Sequence, residues 1–167
     1  MFNRKFKFKY NIFFSLNNYM VIRMQDEGPP VITICPGLQP KVYPKDNVSK
    51  AVQVMVETGI GAVAVTDEQG KIIGIFTERD LLNKVLVKDK KTDEIIIGDV
   101  MTRNPIVGNP SWSVLKAIKT MAYYGFRHLP IVDDTGNYLC MVSIRELEKF
   151  ITQIDIGVEP SEIIGGD

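Results

Sequence analysis

One histidine, one tryptophan and two cysteines are all that this sequence holds of those residue types. With His128 alone, no histidine-based metal cluster can be built, and Cys35 and Cys140 do not form a metal-ligand spacing with it. The two cysteines supply no disulfide framework; their scarcity and apolar neighbours mark them as buried or incidental thiols. The setting expected from such thiols is reducing and cytoplasmic. No apolar run approaches the ~18 residues that cross a bilayer, so no membrane span is expected. A phosphate-cradling glycine loop, a nucleophile–base–acid triad and a metal motif are all missing, which sets an enzymatic role aside.

Charge of one sign is also lacking overall, because 20 basic residues balance 20 acidic ones. The balance conceals an asymmetry. Residues 1–24 carry Arg4, Lys5, Lys7, Lys9 and Arg23 with no acid, leaving 15 basic against 20 acidic residues, a net of −5, in the remainder. A mildly acidic body argues against general nucleic-acid binding, which depends on dense phosphate neutralisation. The basic head has an apolar stretch at 11–18 that is short, interrupted by asparagines and without a small-residue cleavage site, so it is not read as a secretion signal. Residues 6–10 alternate like a strand with one apolar face. Met20 and Met24 offer alternative starts.

What the sequence does contain is a repeat. Residues 48–81 lie over 114–147 at a constant offset of 66 without a gap, and nine of these thirty-four positions are identical, among them Met55/Met121, Gly59/Gly125, Asp67/Asp133 and Arg79/Arg145. A unit this short buries too little surface to stand comfortably alone. The two copies are therefore expected to pack on each other, with any ligand at their junction.

Each copy reads in the same order. Val48, Ala51, Val52, Met55 and Val56 recur at helical spacing, as do Val114, Ala117, Ile118, Met121 and Ala122. Gly59 and Gly125 stop these helices where a positive φ costs least. Mostly apolar strands follow at 62–66 and 129–132, expected to be buried on both faces. Asp67 to Gly70 and Asp133 to Gly136 have the chemistry of a type I turn, leading to return strands at 72–76 and 138–142. A second helix begins at Thr77 or Ser143, with Leu81, Leu82 and Val85, or Leu147, Phe150, Ile151 and Ile154, on its inner face. Proline-containing stretches at 40–44 and 105–110 read as an edge strand before each first helix.

These residues resemble a known family, the cystathionine β-synthase (CBS) domain, which occurs as tandem pairs. The resemblance rests on Val100-Met101-Thr102-Arg103-Asn104-Pro105, on Arg127-His128-Leu129-Pro130-Ile131-Val132-Asp133 and on Gly74-Ile75-Phe76-Thr77-Glu78-Arg79-Asp80-Leu81, and covers about 31–153. It implies an α+β fold of two β-α-β-β-α units packed sheet to sheet about a pseudo-twofold axis. The expected organisation is a basic and aromatic extension at 1–30, a first motif and linker at 31–94, a second motif at 95–155 and a flexible tail at 156–167. The resemblance further implies a regulatory, non-catalytic module that binds an adenosine-containing ligand between the units, forms a homodimer and acts on a separate partner protein.

Thr77 and Asp80 are the sharpest chemistry. A hydroxyl and a carboxylate there suit ribose hydroxyls, as the resemblance implies for Asp80, yet the same spacing is a capping box. Ser143 and Glu146 repeat the spacing with a longer acid, and Cys140 replaces the glycine found at Gly74. Mapped by position, the first cleft receives Arg127, His128, Arg145 and Lys149 from the second copy as phosphate donors. Read without the resemblance, Arg127 and His128 equally suit a helix carbonyl end, and Arg145 and Lys149 a solvated face. Val42, Ile60, Gly61 and Ala62 are the expected wall for the base. The expected ligand is AMP, ADP or ATP, with no other cofactor and no metal required. S-adenosylmethionine or NAD, or a ligand-free scaffold role, are the alternatives.

Overall fold

The computed structural model describes residues 10–14, 20–24, 28–88 and 91–153. In chain order the elements are β1 (Tyr10–Phe14), β2 (Met20–Met24), a 3-10 turn (Val31–Ile34), β3 (Lys41–Val42), α1 (Val48–Thr58), β4 (Ala62–Thr66), β5 (Ile72–Thr77) and α2 (Glu78–Asp80). Wider turns (Leu81–Val85) and a 3-10 turn (Leu86–Lys88) extend α2; then come α3 (Ile97–Val100), β6 (Thr102–Arg103), α4 (Val114–Tyr124), β7 (His128–Val132), β8 (Tyr138–Ser143) and α5 (Ile144–Gln153). β1 and β2 form an antiparallel pair from Tyr10↔Met24 to Phe14↔Met20. The strand expected at 6–10 lies, except for Tyr10, outside the described residues, as does the tail from 156.

The repeat is built by repeated devices. Asn47 and Ser113 open α1 and α4 by accepting the backbone N–H of Lys50 and Lys116, each at 3.0 Å. Gly59 and Gly125 close them at φ 67° and 71°, where a side chain would be strained. Val48, Ala51 and Met55, and Val114, Ala117 and Met121, are buried. Val56, expected on the inner stripe, is 77% exposed, because it falls at the outer edge of the face that Val48, Ala51 and Met55 already fill. Leu82, also expected inside, faces out: with the chain in wider turns, Leu81 and Val85 take the inner positions.

β4 is buried at all five positions, and its alternation separates two cores. Val63 and Val65 join α1 in the first unit's core, whereas Ala62 and Ala64 face a seam shared with Ile60, Ile75, Tyr138 and Met141. Leu129, Ile131, Cys140 and Val142 belong to the core of the second unit. The seam is the sheet-to-sheet contact, and its symmetry is explicit at the hairpin tips: Ile72 N–H donates to Gly136 O at 3.2 Å, and Tyr138 N–H to Gly70 O at 3.0 Å. Each bond is the other's image under the 66-residue offset.

The sheets are not copies. The first has the order β3-β4-β5-β6, while β7 and β8 form a two-stranded sheet. The edge strand expected at 105–110 reduces to one parallel bridge, Gly108↔Ile131. Pro105 and Pro110 bring no N–H to a ladder, and Asn109 turns the chain by accepting from Ser111.

The segments leading into the two motifs are crossed. Val31, Ile34 and Cys35 pack in the second unit's core, and Ile95, Ile97, Val100 and Met101 in the first's. The hydrogen bonds correspond one to one: Val31 N–H to Trp112 O (2.6 Å) matches Ile97 N–H to Asp46 O (2.8 Å), and Val114 N–H to Pro29 O (3.0 Å) matches Val48 N–H to Ile95 O (2.9 Å). Cys35 and Cys140, expected as separate thiols, are joined in a disulfide across a sequence separation of 105. The crossing brings them together, since it lays the segment before β3 against β8, a contact that no sequence spacing reveals.

Candidate functional site

β5 ends at Thr77, whose extended backbone (φ −126°, ψ 165°) starts α2 with a complete capping box. Thr77 N–H and Oγ donate to Asp80 Oδ2 at 3.0 and 2.8 Å, and Asp80 N–H donates back to Thr77 Oγ1 at 3.2 Å. The other carboxylate oxygen, Oδ1, pairs with Lys84 Nζ at 2.7 Å. Capping thus occupies one oxygen of Asp80 and leaves the second turned toward the neighbouring strand. That strand is β6, paired with β5 at Ile75↔Thr102, and Thr102 Oγ1 lies 3.5 Å from Asp80 Oδ1.

Beyond β6 the chain turns at Asn104, the one described non-glycine residue with positive φ (48°), a conformation asparagine tolerates better than most residues. The turn lays Asn104, Pro105 and Ile106 along a cavity of about 350 Å³. Its other walls are Gly61, Ile75, Thr77, Glu78, Arg79 and Asp80 from the first unit and Phe126, Arg127, His128 and Pro130 from the second. Paired backbone bonds fix the facing walls: Glu78 N–H donates to Gly61 O at 3.1 Å and Ile144 N–H to Arg127 O at 3.0 Å. A second cavity of about 440 Å³ shares Gly61, Glu78, Arg127 and His128 and adds Ile60, Ser143, Arg145 and Glu148.

The electrostatics of the shared wall are mixed. Burial first, and then the neighbouring Arg127 guanidinium, hold the His128 imidazole below its ordinary value, against the opposing pull of Glu78 and Glu146. His128 is therefore a neutral ring at pH 7 whose protonation an anion would favour. The lining offers carboxylate and hydroxyl groups from Asp80, Thr77 and Thr102, apolar and proline surface from Ile75, Pro105, Ile106 and Pro130, and guanidinium donors from Arg79 and Arg127.

Thr77, Asp80, Gly61, Arg127 and His128, expected from the sequence, are thus brought to one cavity. Arg145 lines the adjoining one, and Lys149 is exposed on α5, among the lining residues of neither. Three expected base contacts fall elsewhere. Val42 is in the first unit's core, while Ala62 is fully buried and Ile60 nearly so in the seam. The reason is the twofold relation: Ile60, Gly61 and Ala62 are the images of Phe126, Arg127 and His128, so Ile60 lines the other cavity, Gly61 lines both and Ala62 is closed into the seam.

Sequence reasoning passed over Thr102, Asn104, Pro105 and Ile106. They stood in a stretch already marked by the resemblance, but its crossing into the first unit's sheet was not legible. On the symmetric side, Ser143 N–H donates to Glu146 Oε2 at 3.0 Å and the Ser143 hydroxyl contacts the same oxygen, so one oxygen of that acid serves as a cap as well. Among the described residues, no group of three or more histidine, cysteine or acidic side chains is placed to hold a metal. No described helix is long and apolar enough to cross a membrane.

Comparison with known proteins identifies the family and the fold. The family model for the CBS domain matches residues 29–87 and 97–153. An uncharacterized protein of Methanopyrus kandleri is 38% identical over 104 residues, 62% of this chain and 53% of that protein. The chain spans about half the length of the first curated relatives it matches. Among solved structures, CBSX2 in complex with AMP aligns with a TM-score of 0.64 at 25% identity, covering 76% of this chain and 98% of that one. A CBS domain pair solved with 5-methylthioadenosine and S-adenosyl-L-methionine aligns with a TM-score of 0.66 at 25% identity, covering 74% and 96%.

Proposed function

Because the chain belongs to the CBS domain family and carries two such units in tandem, we propose that it is a regulatory module that binds an adenine nucleotide, AMP, ADP or ATP, in the first cleft. The observation that carries this reading is the convergence, on one cavity of about 350 Å³, of Thr77 and Asp80 from one unit with Arg127 and His128 from the other. In it, Asp80 and Thr102 receive the ribose hydroxyls, and the base lies against Pro105, Ile106 and Ile75. Arg127 and His128 meet the phosphate, where the guanidinium fork and a protonated ring are charge-assisted donors. A ligand so held bridges the units. It regulates only if it binds one arrangement of them more tightly than another.

The proposal extends to a homodimer and a separate regulated protein. Val56 on α1 and Tyr123 on α4, 77% and 83% exposed, are apolar surface available for such contacts. No enzymatic role is proposed. The expected cytoplasmic setting rested on unpaired thiols, and the Cys35–Cys140 disulfide withdraws that ground. Glu78, lining both cavities, favours a second reading, an adenosyl ligand with a cationic centre such as S-adenosylmethionine.

The test is calorimetry and thermal shift with AMP, ADP, ATP, NAD and S-adenosylmethionine on the wild type, Asp80→Ala and Arg127→Ala. Ligand at 100 times Kd adds about 2.7 kcal/mol of stability. Loss of Asp80 as a cap lowers apo stability by about 1 kcal/mol, so the decisive quantity is the ligand-dependent shift, expected in the wild type and abolished in both variants. No heat and no shift with any of these ligands would favour the scaffold reading instead.

A further inference from the structure

Lys84 is four residues beyond Asp80 and lines neither cavity, yet it is tied to two residues that do. Its ammonium pairs with Asp80 Oδ1 at 2.7 Å and donates to Thr102 Oγ1 at 3.2 Å and to the Val100 carbonyl at 2.9 Å. These three contacts use its three donors. They also span three elements: the turn after α2, the end of α3 and β6. At the image positions of the second unit, Lys84, Asp80, Thr102 and Val100 become Phe150, Glu146, Pro36 and Ile34. There Phe150 packs against the apolar core and Glu146 is engaged by Ser143. The lysine is thus one element of a polar cluster whose image positions in the second unit hold Phe150, Pro36 and Ile34 instead of Lys84, Thr102 and Val100.

We propose that Lys84 is the positioning residue that makes this cleft selective for a ribose. The inference rests on the nucleotide reading above. Asp80 Oδ2 already accepts twice from Thr77, so recognition falls to Oδ1, which is held by Lys84 at 2.7 Å and otherwise accepts only a long 3.5 Å contact from the Thr102 hydroxyl, weak enough for a ligand hydroxyl to replace. The ammonium holds that oxygen toward β6 and keeps it from tilting back to the helix. By donating to Thr102 Oγ1 at 3.2 Å, it also holds the threonine, whose own O–H is directed at Asp80 Oδ1 over a long 3.5 Å and turns to an arriving hydroxyl at little cost. A vicinal diol arriving there meets one fixed acceptor and one fixed donor. Pre-set partners of this kind contribute affinity because they are not ordered at the moment of binding.

The discriminating experiment compares AMP with 2′,3′-dideoxy-AMP by calorimetry on the wild type, Lys84→Met, Lys84→Gln and Lys84→Arg. The two ligands carry the same phosphate and base, so a mere change of local charge or a general loosening of the cleft shifts both alike. Wild type is expected to favour AMP by about tenfold or more, the scale of a lost charge-assisted contact. Lys84→Met and Lys84→Gln are expected to lose most of that preference while binding the dideoxy ligand within about twofold of wild type. Lys84→Arg restores a cation and is expected to recover part of it. If Lys84→Met fails to fold, Lys84→Gln retains donors for Val100 and Thr102 and carries the comparison. Wild-type selectivity retained in both neutral variants overturns the role of Lys84 and leaves the nucleotide reading standing. Wild type that binds neither ligand overturns the nucleotide reading, and this inference with it.

Discussion

Cys35 is bonded to Cys140 in the second unit at the place where Met101 lies over Gly74 in the first. Both pairs join a crossed leading segment to the return strand of the unit it covers. In one case the contact is covalent; in the other a glycine admits a thioether. A Cβ at Gly74 would stand 2.5 Å from Met101 Sδ.

The disulfide sets the first prediction. Intact-mass measurement of the protein without reductant is expected to show the two thiols missing, restored by reduction as two added hydrogens. Reduction, or Cys35→Ser, is expected to lower stability by about 2–4 kcal/mol, since the bond closes a long loop of the unfolded chain. Denaturant titration with and without reductant measures it.

Gly74→Ala should be destabilising for a reason outside its own conformation. The new methyl meets Met101 Sδ and, at 3.2 Å, the Thr102 carbonyl. Overpacking of this kind costs about 1–3 kcal/mol. If the thioether is the main obstacle, the double variant with Met101→Ala will show a positive coupling, with less destabilisation than the two single changes predict together.

His128 makes both stability and binding depend on pH, with opposite signs. Its folded value lies below the ordinary 6.5, so the unfolded chain binds the proton more readily. Apo stability contributed by the neutral ring is therefore present above pH 6.5 and is lost as pH falls through the lowered folded value. Phosphate binding favours the protonated ring, so nucleotide affinity should rise as pH falls from 8 to 6, with proton uptake. Calorimetry in buffers of different ionisation enthalpy detects that uptake, and His128→Ala should abolish it.

Tyr138 is buried in the seam with no partner for its hydroxyl among the described residues, and burial pushes its ionisation up. An unsatisfied buried donor costs about 1–3 kcal/mol. Tyr138→Phe is therefore expected to leave stability unchanged or raise it by about 1 kcal/mol, as read from thermal or denaturant unfolding.

Much of this could be read in the chain because it is local. The stops at Gly59 and Gly125, the turns begun by Asp67 and Asp133 and the cap at Thr77 each depend on residues a few positions apart. The meeting of Asp80 with Arg127 and His128 followed from the repeat and the resemblance together. What the repeat could not convey was which unit each leading segment covers. A 66-residue offset aligns Thr102 with Pro36, but it is silent on the crossing that sets Thr102 beside Asp80 and Cys35 beside Cys140. The same silence misplaced Ile60 and Ala62, whose images, rather than themselves, stand at the first cleft. The Lys84 pair lay within reach of simple helical spacing, since oppositely charged residues four apart on one helix meet.

The crossing of the leading segments also decides what can be cut. A stretch running from Pro29 to the end of the first linker carries Val31, α1 and three core strands but leaves Ile97 and Val100 behind; a stretch beginning at Ile95 carries those residues and leaves Val31 behind. Either fragment, expressed alone, exposes a groove shaped for a peptide that its sibling holds. The tandem repeat is thus two copies by descent and one body by assembly: melted, it should lose both halves in a single transition, and severed, its pieces should seek each other.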